Sequence, residues 1–261
     1  MKRIISIIGV CVAAIVTCAS WRGAFKDSYF AQPVVAAPAY DSYTKLMLHC
    51  DGADASTTFT DSSTNSRTVY PVADVQLDTA NKKFGTASGL FDGTGDAITN
   101  EPSSDFSPGT GEFTIDFWMY IRTFVAYQQV ADMKPQDATG VDYFSFGTAW
   151  ATTTGKPFVI ADGYYQFTGG VFARSNWYHV AIVGNGGDDG SRNVKVYTNG
   201  NIGITVTYNY NLTHKVMRIG SSIFSTGPAL QQFFNGWLDE FRFSKGIQRW
   251  IADFTPPTAP Y

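Results

Sequence analysis

The run EFTIDFWMYI, Glu112 to Ile121, alternates without a break. Phe113, Ile115, Phe117 and Met119 fall on one side of an extended chain; Glu112, Thr114, Asp116, Trp118 and Tyr120 fall on the other. Side chains on a strand alternate with period two, so such a run buries one face and presents the other. The pattern recurs along the chain. KLMLHC groups Leu46, Leu48 and Cys50, NWYHVAIV is rich in β-formers, and NVKVYTNGNIG reads as a hairpin turning at Asn199-Gly200. VMRIG and WLDEFRF complete the set, and DGTGD, SPGTGE and NGGDDGS punctuate it as turns. No segment of ten or more residues keeps a helical period. Strands apolar on one face need a second layer to cover it. The residues therefore predict one all-β domain over 44–261, a sandwich of two antiparallel sheets.

With 44% hydrophobic and 16% charged residues among 261, the chain is apolar enough to fold around a substantial core. The net charge is -3, and no Lys/Arg cluster follows Lys2 and Arg3, so nucleic-acid binding has no electrostatic basis. An acidic surface does not favour anionic membranes either. Membrane contact is expected only through the N-terminus, where Lys2 and Arg3 precede an apolar run from Ile4 to Ala19. That run is shorter than the ~20 residues of a spanning helix and suits a secretory signal. Residues 1–20 are thus read as a signal peptide or apolar N-terminal segment, and 21–43, a mixture of Ala, Pro and aromatics, as a linker or arm. Of the cysteines Cys11, Cys18 and Cys50, only Cys50 lies outside the leader, so a processed chain has no internal disulfide.

LMLHCDGADASTTFTDSS, KKFGTASGLFDGTGDAI, GTGEFTIDFWMYI, NWYHVAIV, VYTNG, GWLDEFRFSKG and FTPPTAPY, in that order, resemble the laminin-G-like, concanavalin A-like lectin/glucanase superfamily, in its bacterial and bacteriophage branch. The resemblance implies a curved jelly-roll sandwich. Its members bind glycans or proteins, decorate particles, or hydrolyse polysaccharides. It also implies a structural calcium ion where the first strand, a Gly/Asp-rich loop and the last strand meet. The positions carried over are Asp51, Gly93 and Asp239. The alternative for Asp239 is capping of backbone N–H groups, and for Asp51 a turn.

The glycosidase pattern of two or three carboxylates on one strand is absent. Asp239 and Glu240 are adjacent, so on a regular strand they leave opposite faces. Trp237, Asp239, Phe241 and Phe243 then share one side, and Leu238, Glu240 and Arg242 the other, where Glu240 and Arg242 can pair. Glu112 and Asp116 share a face but stand ~13 Å apart, beyond the range for cooperation on one glycosidic bond. The expectation is a domain that is not an enzyme.

Two aromatic sets are candidate ligand platforms: Trp118 and Tyr120 with Glu112 and Asp116 on the sheet, and Trp150, Tyr164 and Tyr165 in loops. A Trp on the second face of a sheet is commonly covered by a neighbouring segment, and one of Tyr164 and Tyr165 is expected to face inwards. The leading reading is a binding or surface-display domain, secreted or on a virion surface, that recognises a glycan or cell-surface polysaccharide. The alternative is a structural or assembly subunit that contacts itself or other structural proteins through the N-terminal segment.

Overall fold

The structure, a computed structural model, describes residues 41–135, 143–161, 164–167, 169–223 and 229–261. The expectations for 1–20 and for most of the 21–43 arm fall outside these residues. Apart from one short 3-10 turn, Ser104–Phe106, every regular element described is a strand.

One sheet runs in the order β13 (Asn201–Thr207), β12 (Asn193–Thr198), β11 (Trp177–Asn185), β6 (Glu112–Ile121), β17 (Asn235–Lys245), β4 (Ser88–Asp92), β3 (Gln76–Asp78), with β1 (Thr44–Leu48) also paired to β17. The second runs β10 (Tyr164–Phe167), β9 (Phe158–Ala161), β8 (Phe144–Gly147), β7 (Gln129–Asp132), β14 (Arg218–Ile219), β5 (Ala97–Asn100), β2 (Val69–Val72). A small ribbon pairs β15 (Ser222–Ile223) with β16 (Leu230–Gln231). All these pairings are antiparallel, as the alternation predicts. The sheets meet through aromatic side chains. Phe117 stacks on Phe241 at 5.4 Å and meets Phe146 of the other sheet at 6.1 Å, while Phe113 meets Phe144 at 6.4 Å. Cys50 packs into this same core as a buried, unpaired thiol.

β17 departs from the regular strand expected. Asp239 lies opposite Trp118 and Arg242 opposite Asp116, so Glu240 and Phe241 together face the single Phe117. This is a β-bulge, with Glu240 in the left-handed region at φ 51°. The extra residue shifts the alternation. Leu238, Phe241 and Phe243 now point into the core. Asp239, Glu240 and Arg242 all emerge on the outer face, which corrects the face assignment made from strict period two. Nor do Glu240 and Arg242 pair. Both Glu240 carboxylate oxygens lie 3.0 Å from His49 Nδ1, and Oε2 also accepts the Tyr261 N–H at 3.0 Å. Arg242 instead makes a two-pronged contact with Asp116, at 3.1 and 3.0 Å.

Part of the outer face of this sheet is covered by residues 247–261. Arg249 anchors their start, donating to Ser244 Oγ at 2.7 Å and to Asp41 and Thr44 at 2.9 Å. Trp250 and Phe254 stack at 4.2 Å over Ala181, Val183 and Tyr197. The Phe254 N–H donates to the Gly200 carbonyl; a Cβ at Gly200 would lie 1.7 Å from the Phe254 oxygen, so the hairpin turn must be glycine here. Tyr261 lies beneath the Arg242 guanidinium, 3.7 Å from ring centroid to carbon. Its hydroxyl donates to Asp116 and lies 3.0 Å from His179 Nε2. Burial pushes His179 down to about 4, so the ring is neutral and fits this layer.

Two outcomes are expected. Asp116→Ala leaves Arg242 buried without a counter-charge and lowers unfolding stability by about 3–5 kcal/mol in denaturant titration, whereas Tyr261→Phe, which removes one hydroxyl, costs about 0.5–1.5 kcal/mol. Burial, together with the neighbouring Glu240 charge, pushes Asp239 up to about 7, against the backbone N–H groups it accepts. A carboxyl with a raised folded pKa contributes stability at low pH that is lost as pH rises towards the folded value. The melting temperature should therefore fall between about pH 4 and pH 7 in the native chain and less steeply in Asp239→Asn; parallel profiles would refute this.

Candidate functional site

The sheet platform expected on β6 is mostly covered. Asp116 is fully buried under Tyr261. Trp118 is 6% exposed, with Phe84 edge-on at 5.8 Å and Lys83 Nζ 3.9 Å from its ring centroid. Glu112 accepts the Gln248 side-chain amide at 2.8 Å. These findings correct the reading of Asp116 and Trp118 as an open platform: the cover comes from segments far away in sequence. Tyr120 and Glu112, near the two ends of the strand, are half-buried.

The expected calcium ligands do not fit one cage. Asp239 accepts the Lys83 and Phe84 N–H groups at 2.8 and 3.0 Å, the capping role weighed as its alternative. Asp51 accepts the Thr86 N–H and, at 2.9 Å, the Thr86 hydroxyl. The two carboxylates thus grip two ends of one loop. Gly93 sits in the turn between β4 and β5, against the Asn235 side chain. Calcium takes six to eight oxygens, and these residues do not offer a shared set. Among the described residues, the carboxylates that converge within 4.8 Å are Asp74, Asp92 and Asp96. Asp96 accepts the Asp92 and Asp74 N–H groups at 2.8 and 3.2 Å, and burial raises it to about 6. Its signal lay in DGTGD, which reads as a turn.

The bulge brings Asp239 and Glu240 onto one face with Asp116, an acidic grouping that period two forbids. None of the three opens to a ligand, since their exposures are 0%, 1% and 0%. Arg242, His49, Tyr261 and backbone N–H groups engage both oxygens of Asp116 and Glu240 and Oδ2 of Asp239, whose Oδ1 is buried without a partner.

The loop aromatics do assemble. Trp150 sits at the centre of rings that meet it edge-on: Tyr127 at 4.9 Å, Tyr165 and Phe167 at 4.8 Å, and Phe158 at 6.0 Å. Register explains the grouping. Tyr165 and Phe167 share one side of β10, opposite Ile160 and Phe158 of β9. Val159 and Ala161 take the core side, so the cluster lies on the outer face of the second sheet. Tyr165 therefore turns onto Trp150, Tyr164 stands open, and neither enters the core. Tyr164, Tyr165, Tyr127 and Phe167 are 70%, 39%, 38% and 36% exposed, while Trp150 is half-buried among them. Tyr127 reaches the cluster from a left-handed backbone, φ 61°, a conformation that costs a non-glycine residue about 1–2 kcal/mol.

From this cluster a row of mostly polar residues crosses the same face, and Ser145, Asp132 and Arg218 in it are buried. Tyr165, Ile160, Ser145, Asp132, Arg218 and Thr99 stand opposite one another on six successive strands. Arg218 lies 3.4 Å from Asp132 and donates to the Lys134 carbonyl at 2.6 Å. Burial pushes Asp132 up to about 6 despite these two cations. The Ser145 hydroxyl donates to Gln129 Oε1. Asp132 Oδ1 and Gln129 Nε2 are buried without a hydrogen-bond partner, each such group costing about 1–3 kcal/mol. Tyr127, Phe158, Phe167, Asp132 and Arg218 were not singled out in the sequence. Phe167 was legible as the i+2 neighbour of Tyr165; the Asp132–Arg218 pairing depends on strand order and was not.

A family model for the concanavalin A-like lectin/glucanases superfamily matches residues 92–247. No curated protein matches the chain. Among solved structures, domain 4 of AbnA, a GH43 extracellular arabinanase from Geobacillus stearothermophilus, in complex with arabinotriose, superposes with a TM-score of 0.55 at 17% identity, over 78% of this chain and 93% of that one. The binding domain of botulinum neurotoxin DC in complex with SialylT gives 0.53 at 17% identity, and that of serotype D gives 0.52 at 16%. Each covers 79% of this chain, which spans 49%, about half, of those chains. At these identities the likeness is one of fold. The all-β order, the two antiparallel sheets and a family match over more than half of its residues place the chain in the concanavalin A-like lectin/glucanases superfamily.

Proposed function

We propose that this is a non-catalytic carbohydrate-binding domain of the bacterial or bacteriophage branch, working outside the cell or on a virion surface, that holds a glycan or cell-surface polysaccharide against the Trp150 face. The observation that carries the reading is the group of partly exposed rings around Trp150. A sugar ring has apolar C–H faces and a polar rim. Rings of Tyr127, Tyr165 and Phe167 offer stacking surface of the kind that ligand pockets characteristically present. Two proteins of the same fold support the choice of ligand class, since one is in complex with arabinotriose and another with SialylT. A binding role without turnover accords with the engaged state of Asp116, Asp239 and Glu240. A structural calcium ion, in this proposal, has its oxygens at Asp74, Asp92 and Asp96.

The full chain should bind on a glycan array, and linear arabinan in a native gel should retard it. Trp150→Ala should weaken binding about tenfold or more, the loss of about 1.4 kcal/mol of stacking, with the melting temperature as the control for folding. Tyr164→Ala should weaken it several-fold at most. Absence of any glycan signal, with self-association instead, would favour the structural-subunit reading; hydrolysis of a polysaccharide would end the non-catalytic one. EDTA should lower the melting temperature of the native chain and leave that of Asp96→Asn unchanged; insensitivity of the native chain would remove calcium.

A further inference from the structure

We infer that the domain has a second carbohydrate-contacting surface on the opposite side of the sandwich and so bridges two glycan chains; this rests on the carbohydrate reading above. The surface is the uncovered end of the first sheet's outer face. Residues 247–261 and the loop carrying Lys83 and Phe84 cover the positions of Asp116 and Trp118, but not the next position out. There Trp177, Tyr120 and Trp237 stand directly opposite one another on β11, β6 and β17. Each is half-buried. Tyr120 meets Trp177 at 5.6 Å and Trp237 at 5.3 Å, so three adjacent strands present ~10 Å of continuous ring surface.

The row has a polar border fixed in place. Trp237 donates its indole N–H to Asp78 at 2.8 Å. The exposed Arg122 guanidinium lies 5.7 Å from the Trp237 ring centroid and is itself held by Asn235 Oδ1 at 2.8 Å. Fixed rings pay little ordering cost on binding. Aromatic faces rimmed by one cation and one carboxylate match a neutral polyhydroxyl chain, with apolar sugar faces on the rings and hydroxyls on Arg122 and Asp78. The Trp150 cluster occupies the other sheet's outer face. Two packed sheets, ~10 Å apart, separate the rows, so one sugar cannot touch both. Two chains held at once produce cross-linking, with avidity set by both sites.

The test uses the full chain and the strongest-binding polysaccharide of the array, coupled to beads. The native chain should agglutinate the beads. Trp237→Ala and Trp177→Ala should still bind the soluble polysaccharide through the Trp150 face, yet lose agglutination at least tenfold in titre, while Trp237→Phe retains it. Trp150→Ala combined with Trp237→Ala should bind nothing. Undiminished agglutination by both Trp237→Ala and Trp177→Ala would overturn the inference and leave the Trp150 site standing. So would a native dimer in sedimentation that Trp237→Ala dissociates, because the row would then be a protein interface. A native chain that binds no glycan would overturn the carbohydrate reading itself.

Discussion

The stack of Phe117 on Phe241 depends on β17 having one residue more than β6 between the same two rungs. Were the same residues held in strict alternation, with no bulge, Phe241 would face outwards, and the centre of the core would lose one of its largest side chains. Glu240 takes up the difference in a left-handed conformation that costs a non-glycine residue about 1–2 kcal/mol. The backbone holds this position because the carboxylate is satisfied from two directions, by His49 at the end of β1 and by the Tyr261 N–H. One irregularity thereby joins the core, the first strand and the closing segment.

The same bulge decides the character of the outer face. It sends Asp239, Glu240 and Arg242 to one side, where they need partners because burying unpaired charge is costly. Asp116, His49, the 83–84 backbone and Tyr261 supply them. An acidic grouping that could suggest catalysis is instead the polar filling between a sheet and its cover. Residues that hold a lid closed are poor candidates for holding a ligand. Open ring surface lies beyond the cover at Tyr120 and, on the other sheet, around Trp150, where the β10 edge is solvated along its whole length. The division between sealed and open ground follows from how far residues 247–261 reach.

Much of the fold was legible in local pattern. Phe113, Ile115, Phe117 and Met119 point to the core as their alternation requires, and the Asn199-Gly200 turn joins β12 to β13. Period two is a property of the backbone, so it survives in any register and can be read from ten residues. The aromatic set Trp150, Tyr164 and Tyr165 was likewise visible as residues. Its arrangement was not, because Tyr127 and Phe167 reach Trp150 through a strained loop and an edge strand respectively.

By itself, then, the sequence determined an all-β chain, its alternating faces, the positions of its turns and the residue types available for binding, since all of these follow from short-range geometry. Tertiary structure alone decided that Asp239 and Glu240 share a face, that Asp116 and Trp118 are sealed, and that Trp177, Tyr120 and Trp237 line up on three strands. Those outcomes depend on a bulge, on strand order and on a covering segment more than a hundred residues away from β6. No local spacing records them, because contacts between distant strands are set by the packing of the whole sheet.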